Sequence, residues 1–244
     1  MTRRFLSRLG GGVAALALGL ATVAVVAEAP ANAAGTCTTA TTLTLNPGYA
    51  SSSIFSPTPF YGQSVSIDVD VTATGSCGST TPFAGTTTVE VNTGAGWVAL
   101  GTGSASSAYV SSTFSTSAIY RASYSGGTSS SGTTTFQPSV SAEVPAAVAR
   151  AVTIKSKSGK KAKVTFIVTP AASIAGVKTK LFVKKGKKWK KFSKVKFNKK
   201  GKATVYLANS HKNKKGVTPY QLALPAGAGF VGHTVSFAIR TIHY

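Results

Sequence analysis

From residue 147 to the carboxyl terminus the chain contains no aspartate and no glutamate. This excludes paired-carboxylate acid–base chemistry in that half, and any site that needs a carboxylate to orient a histidine. It equally excludes a self-forming Lys–Asn or Lys–Asp isopeptide cross-link there, because the reaction needs a carboxylate catalyst. The stretch 36–146 lacks the complementary parts, having neither lysine nor histidine. The histidines, His211, His233 and His243, all fall in the second half, at separations that match no local metal-ligand pattern. These absences leave no nucleophile–base pair, no metal centre and no cofactor site to assemble, and a non-catalytic protein is expected.

Cysteine is almost absent. Cys37 and Cys77 are the only two, too far apart for a redox pair and too few for a zinc site. In an oxidising compartment they form one disulfide. It closes a loop of about 40 residues and contributes roughly 3–4 kcal/mol in the chain-entropy model. Beyond the amino-terminal stretch there is no apolar run long enough to span a bilayer, so no transmembrane anchor is expected in the mature chain.

The amino terminus reads MTRRFLSRLGGGVAALALGLATVAVVAEAPANAAGTC. Arg3, Arg4 and Arg8 form a positive region, Val13 to Val26 an apolar region, and Ala31-Asn32-Ala33 a small-residue cleavage signal. Residues 1–34 are therefore read as a cleaved secretory signal peptide. Cys37 follows Ala34-Gly35-Thr36, which is not a lipidation box, and Leu224-Pro225-Ala226-Gly227-Ala228 lacks the threonine and the basic-ended tail of a wall-sorting signal. A secreted, extracellular protein is expected, retained non-covalently at the cell surface.

The remainder is rich in Thr, Ser, Val and Gly and poor in Leu and Glu, with no helical apolar stripe. Period-two alternation is plain in Val65-Ser66-Ile67-Asp68-Val69-Asp70-Val71. The plan then recurs. SIDVDVTA (66–73) matches KVTFIVTP (163–170), and AGTTTVEVNTGAGWVALGTG (84–103) matches AGVKTKLFVKKGKKWKKFSK (175–194). This places Gly85 on Gly176 and Trp97 on Trp189, while SAIYRASYSGG (117–127) and VTPYQLALPAG (217–227) place Tyr120 on Tyr220. A repeat of this length is the size of one sandwich domain. The tandem order of these motifs resembles the Ig-like β-sandwich repeats of secreted actinobacterial surface proteins. The resemblance implies an all-β fold of two tandem immunoglobulin-like β-sandwich domains, 36–146 and 147–244, and a role in adhesion, presentation or spacing. It implies no ligand.

Charge separates the two halves. Residues 36–146 carry Arg121 against Asp68, Asp70, Glu90 and Glu143, a net charge of −3, whereas 147–244 carry 21 lysines with Arg150 and Arg240, a net charge of +23. Self-repulsion on this scale costs stability unless an anionic partner or counter-ions are present. The stretch VKKGKKWKKFSKVKFNKKGK (183–202) concentrates it. Its alternation predicts a strand to Val183, a turn over 184–188, a returning strand from Trp189, and a turn at Asn198 to Gly201 into a strand over Lys202 to Leu207. Val195, Phe197, Ala203, Val205 and Leu207 face inward, and Lys194, Lys196, Lys202, Thr204 and Tyr206 outward. Lys184, Lys185, Lys187, Lys188, Lys190, Lys191, Lys194, Lys196, Lys199 and Lys200 are the candidate polyanion-binding residues. Lysine greatly outnumbers arginine, which favours diffuse attraction over the bidentate reading of phosphates or bases.

The expected partners are anionic cell-wall polymers or lipid headgroups. Nucleic acid or acidic glycans are the alternatives, and a purely structural surface protein is the third reading. Trp189, Phe192 and Tyr206 near the lysines offer stacking faces for bases. The match of Trp189 to Trp97 in the lysine-free half assigns Trp189 instead to the core. Asp68, Asp70 and Glu90 form the one carboxylate set with a calcium-like composition, although their positions on strands read as simply exposed.

Overall fold

The structure is a computed structural model that describes residues 35–48, 58–77, 80–130, 132–157, 161–207 and 216–241. The segment read as a signal peptide, with His211 and His243, lies outside the described residues. Among them the regular structure is strand, apart from a 3-10 turn at Ala171–Ser173. The first half contains β1 (Thr36–Pro47), β2 (Ser64–Gly75), β3 (Thr87–Asn92), β4 (Trp97–Gly103), β5 (Ser107–Thr113) and β6 (Ala118–Tyr124). Four short strands close it: β7 (Gly127–Thr128), β8 (Thr135–Phe136), β9 (Ser139–Val140) and β10 (Val144–Ala146). The second half contains β11 (Ala151–Lys157), β12 (Ala162–Thr169), β13 (Lys178–Lys185), β14 (Lys188–Lys196), β15 (Lys202–Leu207), β16 (Gly216–Leu224) and β17 (His233–Thr241).

Each half is two sheets enclosing one apolar layer, the all-β sandwich architecture that the alternation predicts. In the first, β5-β2-β1-β8-β7 faces β10-β6-β3-β4; in the second, β11-β12-β15 faces β14-β13-β16-β17. The second core draws Val164, Phe166 and Val168 from β12, Leu181 and Val183 from β13, Val195 from β14, and Tyr220 and Leu222 from β16. Val195, Phe197, Ala203 and Leu207 are buried and Lys194, Lys196, Lys202, Thr204 and Tyr206 exposed, as their parity requires.

The halves repeat register for register. Val91 pairs Tyr120 as Val183 pairs Tyr220, and Asn92 pairs Trp97 as Lys184 pairs Trp189. Each hairpin also carries one irregularity at the same place, between Val89 and Glu90 in the first and between Leu181 and Phe182 in the second. Cys37 and Cys77 form a disulfide with Cα atoms 5.7 Å apart, tying the start of β1 to the turn after β2.

The halves meet in a packed joint. Phe230, from the loop between β16 and β17, is buried in the first sandwich's core with Ala146 and Val148. The connecting segment runs between them, with Val148 N–H donating to Ser117 Oγ at 2.9 Å, Tyr61 N–H to Ala149 O at 2.9 Å and Val231 N–H to Val148 O at 3.0 Å. Arg150, 2% exposed, lies below with its guanidinium 5.1 Å from the Phe230 ring centre. Among the described residues no carboxylate meets it. It donates instead to Ser173 Oγ, Ser173 O, Pro225 O and Gly227 O, so four oxygens of the second sandwich are gathered by one side chain.

Beside Arg150 both ring nitrogens of His233 are buried without a hydrogen-bond partner among the described residues, and the ring meets Phe60 edge-on with centroids 5.9 Å apart. Burial, reinforced by Arg150, lowers the His233 pKa below its ordinary 6.5. The folded protein therefore holds His233 neutral while the unfolded chain takes up a proton as pH falls through about 6.5, so stability declines on acidification. Unfolding midpoints measured from pH 8 to pH 5 should be level at the alkaline end and fall below about 6.5, and His233→Phe should remove part of that fall. Independently, replacing Cys37 and Cys77 by alanine should cost about 3–4 kcal/mol in denaturant titrations, a loss that reducing the wild-type protein reproduces.

Candidate polyanion-binding face

Strand β13 alternates Lys178-Thr179-Lys180-Leu181-Phe182-Val183-Lys184, with Thr179, Leu181 and Val183 buried. Its lysines consequently leave on the outer face. On β14 the inward positions are Val195 and Ser193, opposite Thr179 and Leu181. Strict alternation back from there would turn Lys191 and Trp189 inward as well. It does not continue, because Phe192 is an extra residue with no partner on β13: Leu181 pairs Ser193 while Phe182 pairs Lys191. This β-bulge resets the parity. Phe192, itself 42% exposed, leans over buried Tyr220 and meets it edge-on at 5.7 Å, and Lys191 and Trp189 emerge outward.

The outcome is a ladder on two neighbouring strands. Its four rungs are Lys178–Lys196, Lys180–Lys194, Phe182–Lys191 and Lys184–Trp189. Successive rungs are about 6.7 Å apart, and partners across a rung have Cβ atoms roughly 5 Å apart. Like charges placed directly opposite are unfavourable, by about 0.5–1 kcal/mol per pair in water-like surroundings. Beside the ladder the outer face changes character. β16 presents Val217, Pro219, Gln221 and Ala223, and β17 presents Thr234, Ser236, Ala238 and Arg240. The charge of this sheet is a stripe.

The ten lysines singled out from the sequence therefore divide. Lys184, Lys191, Lys194 and Lys196 stand on the ladder. Lys185, Lys188 and Lys190 leave from the opposite side of the hairpin, Lys190 facing Val183 across the pair. The turn is two residues, Gly186 and Lys187, with Gly186 at φ 60°, shorter than the five-residue turn anticipated because both strands run into the lysine run. Lys199 and Lys200 sit at the other end of β14, in a turn held by Asn198 Oδ1, which accepts from Lys200 N–H at 2.9 Å and Lys202 N–H at 3.0 Å. Lys178 and Lys180, on the ladder, were not among the ten, although the alternation of Lys178-Thr179-Lys180-Leu181 marks them.

The aromatics divide as well. Trp189 is not a core residue: it is 38% exposed, with Lys184 Nζ 6.0 Å from its ring centre. Its counterpart Trp97 is half-buried because Arg121 stacks on it at 4.0 Å, held by a 2.8 Å ion pair with Glu90. At Trp189, Phe182 and Gln221 occupy the positions of Glu90 and Arg121, so the corresponding ion pair and stacked guanidinium are replaced. Tyr206, 61% exposed, lies on the other sheet beside Lys163. The three aromatics thus form no common platform. The carboxylates are dispersed too: Asp68 and Asp70 lie on β2, and Glu90, on the facing sheet, is engaged by Arg121. Among the described residues no cluster could hold a metal ion.

The first sandwich serves as a control built into the same chain. The positions of Lys180, Lys184, Lys191 and Lys194 are filled there by Thr88, Asn92, Ala99 and Thr102 on an equivalent hairpin with an equivalent bulge. The backbone does not need lysine at those places. No protein-family model matches the chain, and no curated protein matches it. The two tryptophans separate the roles of the positions they share: Trp97→Ala should cost about 1–2 kcal/mol in chemical denaturation, since it uncovers Arg121, whereas Trp189→Ala should cost less than about 1 kcal/mol.

Proposed function

We propose that this is a secreted, non-catalytic two-sandwich protein of the Ig-like kind, retained at the cell surface by electrostatic attraction between its second sandwich and anionic polymers of the envelope. One observation carries the reading. Lysines stand in opposed pairs on an inner strand and its neighbour, at positions that an equivalent sandwich fills with neutral side chains. Edge protection accounts for lysine on β14, an outermost strand, but not for the lysines of β13, which is paired on both sides. The second half has no carboxylate to neutralise them, so a polyanion meets no internal competitor.

The arrangement also favours an anchor-and-spacer division. β16 ends at the joint, and its register with β13 puts the hairpin tip at the pole remote from the first sandwich. The ladder runs from its Lys178–Lys196 rung, at the joint end of β13, to that remote tip, and the near-neutral first sandwich, braced by Phe230 and the Arg150 network, extends beyond its near end. A second reading, single-stranded nucleic acid as partner, is favoured by the exposed ring of Trp189 beside Lys184.

Fractionation tests the main reading. The mature protein should remain with washed cell envelopes at low salt and be released by high salt. Binding to isolated envelope polymer should follow a log–log salt slope of about −4 if six lysines each meet one anionic group, at roughly 0.7 per contact. Converting Lys178, Lys180, Lys184, Lys191, Lys194 and Lys196 to glutamine should abolish retention with the unfolding transition intact. Retention insensitive to both salt and these changes would rule the function out.

A further inference from the structure

Resting on that reading, we infer that the ladder of β13 and β14 is matched to one kind of polyanion, an extended single-chain polyol phosphate lying along the strands. The match is one of bond count. Two residues of a β-strand contain six backbone bonds and advance about 6.7 Å, so Lys178 and Lys180, or Lys194 and Lys196, are one such step apart. A phosphodiester chain bridged by three carbons also has six bonds between successive phosphorus atoms, an extended contour of roughly 6.6–7.2 Å on the polypeptide scale. Successive phosphates of such a chain meet successive rungs. At each of the first two rungs a phosphate meets two ammonium groups, one from each strand. The opposed lysines then exchange mutual repulsion for a shared counter-charge.

Other features of the face narrow the ligand. The stripe is two strands wide and bordered by the neutral residues of β16, so it suits one chain rather than a duplex with two charged backbones. Among the described residues the ladder face carries one exposed aromatic, Trp189 on the fourth rung; Phe182 is half-buried, and Phe192, 42% exposed, lies against Tyr220 on the other side of the sheet. A chain carrying a base on every repeat would find a single exposed stacking partner over four rungs. A chain bearing only hydroxyls or small substituents on its carbons needs none. Lysine also suits such a ligand, because a hydrated point charge tolerates the torsional freedom of a flexible polyol phosphate better than a planar fork does.

Calorimetry on the full mature protein tests this with three probes of equal charge: glycerol-phosphate oligomers, linear inorganic polyphosphate and oligothymidylate. Glycerol-phosphate oligomers should bind at least fivefold more tightly than polyphosphate, although polyphosphate has the denser charge. Their affinity should rise steeply with length up to about four repeats, the number of rungs, and only slowly thereafter. K178Q, K180Q, K194Q and K196Q combined should weaken glycerol-phosphate binding at least tenfold. K185Q, K187Q, K188Q and K190Q combined should weaken it less than threefold. If polyphosphate binds as well or better, charge density alone governs and the matching is wrong, while polyanion binding stands. Tighter binding of oligothymidylate that Trp189→Ala removes would assign the face to nucleic acid instead. Absence of binding to all three would overturn the parent reading together with this one.

Discussion

Side chains on a pleated strand leave on alternate faces, so a sandwich that buries one apolar layer carries charge only on the other parity. On β13 and β14 of the second sandwich this constraint is severe, because lysine occupies nearly every position that the core does not. Thr179, Leu181, Val183, Val195, Ala203 and Leu207 are buried, and the lysines between them have one direction left. Burial of the apolar set thus orders the charged set. The Phe192 bulge modifies the rule at one point, and Lys191 joins Lys194 and Lys196 on the outer face because of it.

That concentration is electrostatically unfavourable for the isolated protein. Opposed lysines on β13 and β14 repel, and no carboxylate in the second half offsets them. The fold absorbs the repulsion through an apolar core gathered from both sheets and through long flexible side chains that splay into water. The first sandwich shows how little the hairpin requires this: the same register and the same bulge are kept with threonine, asparagine and alanine at the corresponding places. The lysines are thus a feature that costs stability and that the backbone does not demand, which is what the proposed polyanion binding rests on.

The joint obeys the same economy of charge in the opposite sense. Arg150 is fully enclosed with no anion beside it among the described residues, and its donors are satisfied by backbone oxygens and a serine hydroxyl from separate turns. A cation so solvated holds those turns together, and they carry Phe230 into the first core. The neighbouring His233 has no comparable set of acceptors, which is why burial keeps it neutral. Two basic side chains a short distance apart therefore play different parts. Burial lowers the pKa of both, but the guanidinium is basic enough to stay charged, whereas the imidazole is denied its proton.

Much of this was legible in the residues. Strand identity, the alternation of β2, the inward set of β15, the Cys37–Cys77 bond and the recurrence of Trp97 as Trp189 all follow from local alternation, composition and repeat spacing, since a pleat of period two writes its faces directly into the chain. Tertiary structure alone decided the rest. Whether Trp189 is covered or open depends on Gln221 standing where Arg121 stands in the first sandwich, a difference on another strand far along the chain. Whether Lys191 joins Lys194 on one face depends on a single unpaired residue, and lysines on both parities leave no local trace of it. The joint unites Phe60, Arg150, Phe230 and His233 from segments distant in sequence, and nothing near any of them announces the others. Periodicity is a property of one strand, whereas register, cover and juxtaposition exist only once strands have met.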